Sequence, residues 1–282
     1  MVNYITSISE RKKIMKTFAI RDSAQSGFAN MAIDLCSMQL VSSGEADLIF
    51  RTYLWEPHCL SIGRFQKPEK EADVSKLLAD GYHIVRRPTG GRAVWHGNEL
   101  TYSLVARETH PFISGTISES LAKVAEILIS ALVDCGVPAK LNSADRELFS
   151  SNRDFNPCFT SHGRSEVMTE DGRKLIGSAQ ARSKGVFLEH GSIIFRNEQM
   201  KAADYLPKGV SDNLRNKMSH LLENAVGSVL EYNKSITKDI LADKLHAKFA
   251  ELSETSPEKL SSSNLPYLKE KIAERYSIIE KY

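Results

Sequence analysis

Arg86-Arg87-Pro88-Thr89-Gly90-Gly91-Arg92-Ala93-Val94-Trp95-His96 packs three arginines, two adjacent glycines and a histidine into one segment between two β-like runs. Adjacent glycines let a backbone turn sharply and approach a ligand with no Cβ in the way. Successive N–H groups in such a turn form an anion-binding concavity. The guanidinium forks of Arg86, Arg87 and Arg92 match phosphate or carboxylate oxygens. The competing reading is a tight hairpin carrying surface arginines. Gly90-Gly91 alone would favour that hairpin; the flanking arginines and His96 favour a binding site.

His83-Ile84-Val85 leads into the segment and Leu100–Val105 reads as a second strand beyond it. Upstream, Asp73 caps a short helix carrying Val74, Leu77 and Leu78 that ends at Gly81. Arg51–Trp55 and Cys59–Ile62 read as strands around a turn at Glu56-Pro57-His58, and Ile33–Leu40 fits a helix imperfectly. Downstream, Thr116 and Glu119 have capping-box spacing. The helix they open shows an apolar face of Ile117, Leu121, Val124, Leu128 and Leu132, and Gly136 and Pro138 stop it. Ser165–Thr169 and Lys174–Ile176 flank an Asp171-Gly172 turn, and Val186–Leu188 and Ser192–Phe195 continue the sheet.

After about residue 200 the pattern turns helical. Leu214, Met218, Leu221, Val226, Val229 and Leu230 suggest one helix, Thr237 caps another, a short third follows Pro266, and Ser253–Asn264 reads as a loop. Strands early and helices late predict an α+β fold, with mixed or antiparallel β-sheets flanked by helices. Residues 1–16 are expected to be an N-terminal extension. Residues 17–282 are expected to form a single catalytic domain whose part from 200 to 282 is mostly helical.

Composition narrows the function classes. A formal charge of +2 across 282 residues argues against a chain-wide polyanion binder, so no nucleic-acid partner is expected. No apolar run approaches the ~20 residues that span a bilayer. Cys36, Cys59, Cys135 and Cys158 lie far apart and form no paired motif, which suits free thiols in a reducing cytoplasm and neither a disulfide nor a zinc framework. Cys36 and Cys135 sit on apolar helix faces as small buried hydrophobes; Cys59, in a strand, stays open.

A second constellation lies downstream. Cys158 follows Asn156-Pro157 among turn and polar residues. It reads either as a buried hydrophobe or as a nucleophile, and a nucleophile needs a nearby cation. Lys174 is the candidate cation, or else a solvated hairpin lysine. It precedes Gly177-Ser178-Ala179, whose small side chains permit close ligand approach. His190-Gly191 is either a turn in the sheet or the lip of the same site.

These residues carry a resemblance. The arginine–glycine segment with Glu99-Leu100-Thr101-Tyr102-Ser103, and the blocks Asp171–Gln180 and His190-Gly191-Ser192-Ile193, resemble the lipoate branch of the biotin/lipoate A/B protein ligase family. The likeness spans roughly residues 17–200. Pro157-Cys158-Phe159 ahead of the lysine block is similar to the cysteine-dependent octanoyltransferases of the LipM type.

The resemblance implies that family's catalytic-domain fold, with Cys158 as nucleophile and Lys174 as its activating cation. It implies substrate binding by Arg86, Arg87, Thr89, Gly90, Gly91, Arg92, His96, Gly177, Ser178, Ala179, His190 and Gly191. The implied donor is octanoyl acyl carrier protein, and the acceptor is a lysine of a lipoyl carrier protein such as glycine cleavage H protein. Neither a cofactor nor a metal is implied. An ATP-dependent lipoate–protein ligase and a lipoyl-domain octanoyl amidotransferase remain open alternatives. An eight-carbon chain gains about 0.8 kcal/mol per buried CH₂, so an apolar tunnel is expected. Val94, Leu104 and Ile176 either line it or belong to the core.

Overall fold

The structure is a computed structural model and describes residues 15–142, 166–253 and 256–276. In chain order the first half comprises β1 (Thr17–Gln25), α1 (Gly27–Ser43), β2 (Leu48–Trp55), β3 (Cys59–Ile62), α2 (Pro68–Glu71), α3 (Val74–Ala79), β4 (His83–Arg86), β5 (Val94–His96), β6 (Glu99–Arg107) and α4 (Ile117–Asp134). There follow β7 (Lys140–Leu141), β8 (Val167–Met168), β9 (Lys174–Ser183), β10 (Val186–Ile194), α5 (Asp212–Ala225), α6 (Val229–Tyr232), α7 (Lys238–Ala250), β11 (Glu258–Lys259) and α8 (Leu268–Tyr276). The expected α+β class holds. Cys158 lies outside the described residues, as do Ser165 and the expected N-terminal extension except its last two positions.

Two sheets organise these elements. The larger runs β11-β1-β2-β6-β10-β9-β8-β7, parallel at the β11-β1-β2 end and antiparallel from β2 onward. The smaller is β4-β3-β5, with β4 parallel and β5 antiparallel to β3. The arginine–glycine segment therefore carries the chain from one side of β3 to the other. The hairpin alternative fails, because β4 and β5 never pair, and Leu100–Val105 lies in the other sheet.

Every residue of β10 is buried, as a central strand covered on both faces requires. Side chains alternate across it. Leu188 packs with Ile33, Cys36 and Leu40 of α1 on one face. On the other, Phe187 and Ile193 join Leu128 and Leu132 of α4 and Leu245 and Phe249 of α7. Cys36, Cys59 and Cys135 are all buried free thiols, which resolves Cys59 as a core residue.

Local chemistry sets the helix ends. Thr116 Oγ1 accepts the Glu119 N–H at 3.3 Å while Glu119 Oε2 accepts the Thr116 N–H at 2.7 Å, the predicted capping box. Ile117, expected on the apolar face, is exposed instead. α1 is longer than the expected Ile33–Leu40. It starts behind Ser26, whose side chain accepts from Ala29 N–H, and stops at Gly44 in the left-handed region. It is buried almost all round, which erases the one-sided periodicity that reveals a surface helix.

Two further expectations need correction. The single helix over Leu214–Leu230 is two. α5 ends at Ala225, Val226 bridges to Lys174, and the Gly227 N–H donates to the Lys174 carbonyl at 3.0 Å before α6 begins. The Ser253–Asn264 stretch holds β11, which extends the large sheet beside β1.

Removing the box with Thr116→Ala is expected to lower unfolding free energy by about 1 kcal/mol. Urea denaturation checks this as a lower midpoint at unchanged slope.

Candidate active site

A cleft opens where the small sheet and α1 meet β2, β6, β9 and β10. It encloses about 390 Å³ of space outside the atoms, open mouth included. One wall is apolar and aromatic, from Met31, Tyr53, Trp55 and Val94. Gly177, Ser178, Ala179, His190, Gly191 and Ser192 add small and polar residues to the lining, and Ser61, Arg87, His96 and Thr101 complete it.

The histidine wall hangs on Arg51, which is fully buried. Its Nε donates to Asp22 Oδ2 at 2.7 Å, Nη1 to Asp34 Oδ1 at 3.2 Å and Nη2 to Asn30 Oδ1 at 2.7 Å. The other Asp34 oxygen, Oδ2, lies 3.0 Å from His190 Nδ1, and His190 Nε2 lies 2.7 Å from Thr89 Oγ1. Burial holds the His190 imidazole below its ordinary pKa, with the Asp34 bond opposing. The neutral ring thus donates Nδ1–H to Asp34 and accepts the Thr89 hydroxyl proton at Nε2. This pins the arginine–glycine segment to the central strand.

A second network centres on Glu99. Its Oε1 lies 2.7 Å from His96 Nδ1 and accepts from Thr101 Oγ1 at 2.7 Å and from Ser192 Oγ at 2.6 Å. Burial pushes this carboxyl up, but His96 and the two hydroxyls outweigh it and hold the pKa below the usual glutamate range. His96 Nε2 reaches Ser61 Oγ at 2.7 Å, and Trp55 stacks on the imidazole at 3.9 Å.

The arginines act locally. Arg87 donates through Nη1 to Ser61 Oγ at 3.1 Å and through Nη2 to the Gly90 and Arg92 carbonyls at 2.8 and 2.7 Å. Arg86 Nη1 donates to the carbonyls of Gly63, Arg64 and Gln66. Both side chains thus fix the shape of the loops around the cleft. Gly91 sits at φ +90°, a conformation that favours glycine, and its carbonyl lies where a Cβ on Gly63 would fall, only 2.0 Å away.

Of the sequence-predicted residues, Arg87, His96, Gly177, Ser178, Ala179, His190 and Gly191 share the cleft wall. Thr89 is tied to it through His190. Arg86, Gly90, Gly91 and Arg92 shape the segment but do not line the described cleft. Val94 lines it; Leu104 and Ile176 belong to the core beneath α4. Lys174 is no solvated hairpin lysine. It is 1% exposed, and its Nζ donates to Glu166 Oε1 at 2.7 Å. A lysine withdrawn so far from water needs such a partner.

Asp34, Arg51 and Ser61 are not singled out by sequence reasoning as site residues, and Tyr102 and Glu189 are given no role by it. The usable signal is charge inside apolar runs: Arg51 interrupts Leu48–Trp55, Glu189 interrupts Val186–Ile194, and Asp34 interrupts an apolar helix.

Residues 26–250 match the lipoyl protein ligase A/B catalytic domain, and the chain belongs to that family. It is 35% identical over 264 residues to Octanoyltransferase LipM of Clostridioides difficile, covering 93% of this chain and 94% of the relative. It is 38% identical over 227 residues to Octanoyltransferase LipM of Kyrpidia tusciae, covering 79% and 81%. The fold is shared with the bi-partite lipoate protein ligase of Thermoplasma acidophilum, solved in a study of that ligase and its E2 lipoyl domain, at TM-score 0.72 and 20% identity, covering 93% and 94%. It is also shared with lipoate-protein ligase A bound with ATP, at TM-score 0.68 and 19% identity, covering 94% and 96%.

Burial pushes the Glu189 carboxyl up to about 8 from its ordinary 4.5, with the Tyr102 bond opposing. Between those values the folded chain holds on Glu189 a proton that the unfolded chain has released, so this group's contribution to stability falls as pH rises through that window. Glu189→Gln is expected to remove this slope. Denaturation midpoints measured across the window check it, and a slope equal to that of the parent chain would contradict it.

Proposed function

We propose that this chain is an octanoyltransferase of lipoate biosynthesis that works through a covalent Cys158 thioester. The observation that carries the reading is the convergence of the arginine–glycine segment with the Gly177-Ser178-Ala179 and His190-Gly191-Ser192 blocks on one narrow cleft with an apolar wall. Relatives at 35% and 38% identity that bear the octanoyltransferase name support it.

The donor is an octanoyl thioester, as on acyl carrier protein. The Cys158 thiolate attacks the thioester carbonyl, the C–S bond to the carrier breaks, and the carrier thiolate leaves and takes up a proton. The product is S-octanoyl enzyme. The ε-amine of a lysine on a lipoyl-domain protein, such as glycine cleavage H protein, then attacks the same carbonyl. The amine loses a proton, the new C–N bond replaces the C–S bond, and the Cys158 thiolate is regenerated. Thioester exchange is nearly isoenergetic and thioester-to-amide transfer runs downhill, so no nucleotide enters either step.

Lys174 serves as the cation that stabilises the thiolate and the developing oxyanion by a charge-assisted hydrogen bond. Arg87, Thr89, His96 and His190 hold the cleft open around the acyl group and the carrier arm, and Gly177, Ala179 and Gly191 let the acyl chain approach the sheet. The reaction belongs in the cytoplasm, where the carriers and reduced thiols are found. Among the described residues no helix is long and apolar enough to cross a membrane.

Intact mass after incubation with octanoyl acyl carrier protein, without ATP, tests the reading. One octanoyl adduct is expected on the parent chain and none on Cys158→Ser. Lys174→Ala is expected to slow adduct formation by at least about a hundredfold, the scale of removing one oxyanion donor. Incorporation of free octanoate only in the presence of ATP would contradict the reading.

A further inference from the structure

Beneath the cleft lies a polar chain that the mechanism above leaves unused. Phe187 and Ile193 of β10 face α4, so Glu189 and Gly191 share that face. The antiparallel register sets Gly191 opposite Tyr102 of β6 and Ser178 of β9. A Cβ at position 191 would fall 2.7 Å from both Tyr102 Cε1 and Ser178 Oγ. Glycine at this position thus lets the phenol pass beneath the strand. Tyr102 Oη reaches Glu189 Oε1 at 2.9 Å on one side and Ser178 Oγ at 2.8 Å on the other. Ser178 lines the cleft.

We infer that Glu189 is a positioning residue for acyl transfer: acting through Tyr102, it turns the Ser178 hydroxyl so that its O–H donates into the cleft, onto the carbonyl oxygen of the bound acyl group. The inference rests on the acyl-transfer reading of the cleft.

The direction of the chain follows from proton counting. An ionised Glu189 accepts the Tyr102 proton, so the Tyr102 oxygen must accept from Ser178, and Ser178 turns only lone pairs to the cleft. A neutral Glu189 donates to Tyr102, Tyr102 donates to Ser178, and the Ser178 proton is released toward the ligand. A carbonyl gathering negative charge needs that donor.

The surroundings favour the neutral acid. Glu189 is buried, and its second oxygen, Oε2, has no hydrogen-bond partner among the described residues. Leaving a carboxylate so is costly. The groups facing it from neighbouring elements do not offset that. On β6 the group is Tyr102. On β9 it is the neutral Gln180, opposite in register, with Arg182 further along and donating to Ser120. On α4, Glu119 and Lys123 bond Thr116 and Ser114 at the exposed end. On α1, Asp34 is taken by Arg51 and His190 across the sheet.

The test is single-turnover octanoyl transfer from octanoyl-pantetheine by the full chain, comparing the parent with Glu189→Gln at about pH 7 and about pH 9. The amide introduced by that substitution donates to Tyr102 at every pH, so the variant-to-parent rate ratio is expected to rise about tenfold across that interval, the loss of the neutral acid in the parent. The ratio cancels thiol ionisation, which both proteins share. Tyr102→Phe is expected to be slow at both pH values. Should Glu189→Gln not fold, Ser178→Ala replaces it, and its rate deficit is expected to shrink by a similar factor. A ratio that does not move with pH while the parent still transfers octanoyl overturns this role and leaves the acyl-transfer reading standing. A parent that takes no octanoyl from the thioester removes that reading and this inference with it.

Discussion

The buried guanidinium of Arg51 is the constraint on which the site depends. It is withdrawn from water, and it holds Asp22, Asn30 and Asp34 at once. Removing one partner of such a buried ion pair typically leaves a charge uncompensated at a penalty of about 3–5 kcal/mol. The specific consequence here is geometric. Asp34 can orient His190 only because Arg51 neutralises and fixes it, and His190 can hold Thr89 only in the tautomer that Asp34 selects. A strand of the large sheet thereby sets the position of a loop that belongs to the small one. The apolar core beneath α4 and α1 makes the sheet; this polar chain makes it point at something.

The cleft combines two environments. One wall of Met31, Tyr53, Trp55 and Val94 offers burial to an alkyl chain, and the other carries hydroxyls, imidazoles and exposed backbone. The polar side chains are spent largely on one another: Arg87 on Ser61 and the Gly90 and Arg92 carbonyls, His96 on Glu99 and Ser61, His190 on Asp34 and Thr89. The site is therefore organised before any ligand arrives, which is how electrostatic stabilisation avoids reorganisation during a reaction.

Local chemistry makes much of this legible in the sequence. The capping box at Thr116 and Glu119, the short helix behind Asp73 and the strands around β3 and β10 follow from spacing alone. The Gly-Gly segment and the His190-Gly191 block stand out because their residue types serve no ordinary core purpose. Tertiary partnership is hidden. Arg86 and Arg87 read as anion ligands, and only the fold shows that their donors meet main-chain carbonyls. Lys174 cannot be told from a solvated lysine until its burial beside Glu166 is seen. Asp34, Arg51 and Glu189 each break an apolar run, but which residue answers each charge is set by strand register and helix packing far along the chain. The break between α5 and α6 is invisible because the run from Leu214 to Leu230 stays apolar at nearly helical spacing, while the pairing of Val226 and Gly227 with Lys174 is a long-range contact.

On the proposed function, the acyl group lies in this cleft, its chain on the aromatic wall and its carbonyl toward Ser178. A crystal structure of the octanoylated protein tests it most directly. The expected result is an alkyl chain packed between Met31, Tyr53 and Val94, with the carbonyl oxygen within hydrogen-bond distance of Ser178 Oγ. An octanoyl chain lying outside the cleft, with Tyr53 and Val94 unchanged beside it, would contradict this placement.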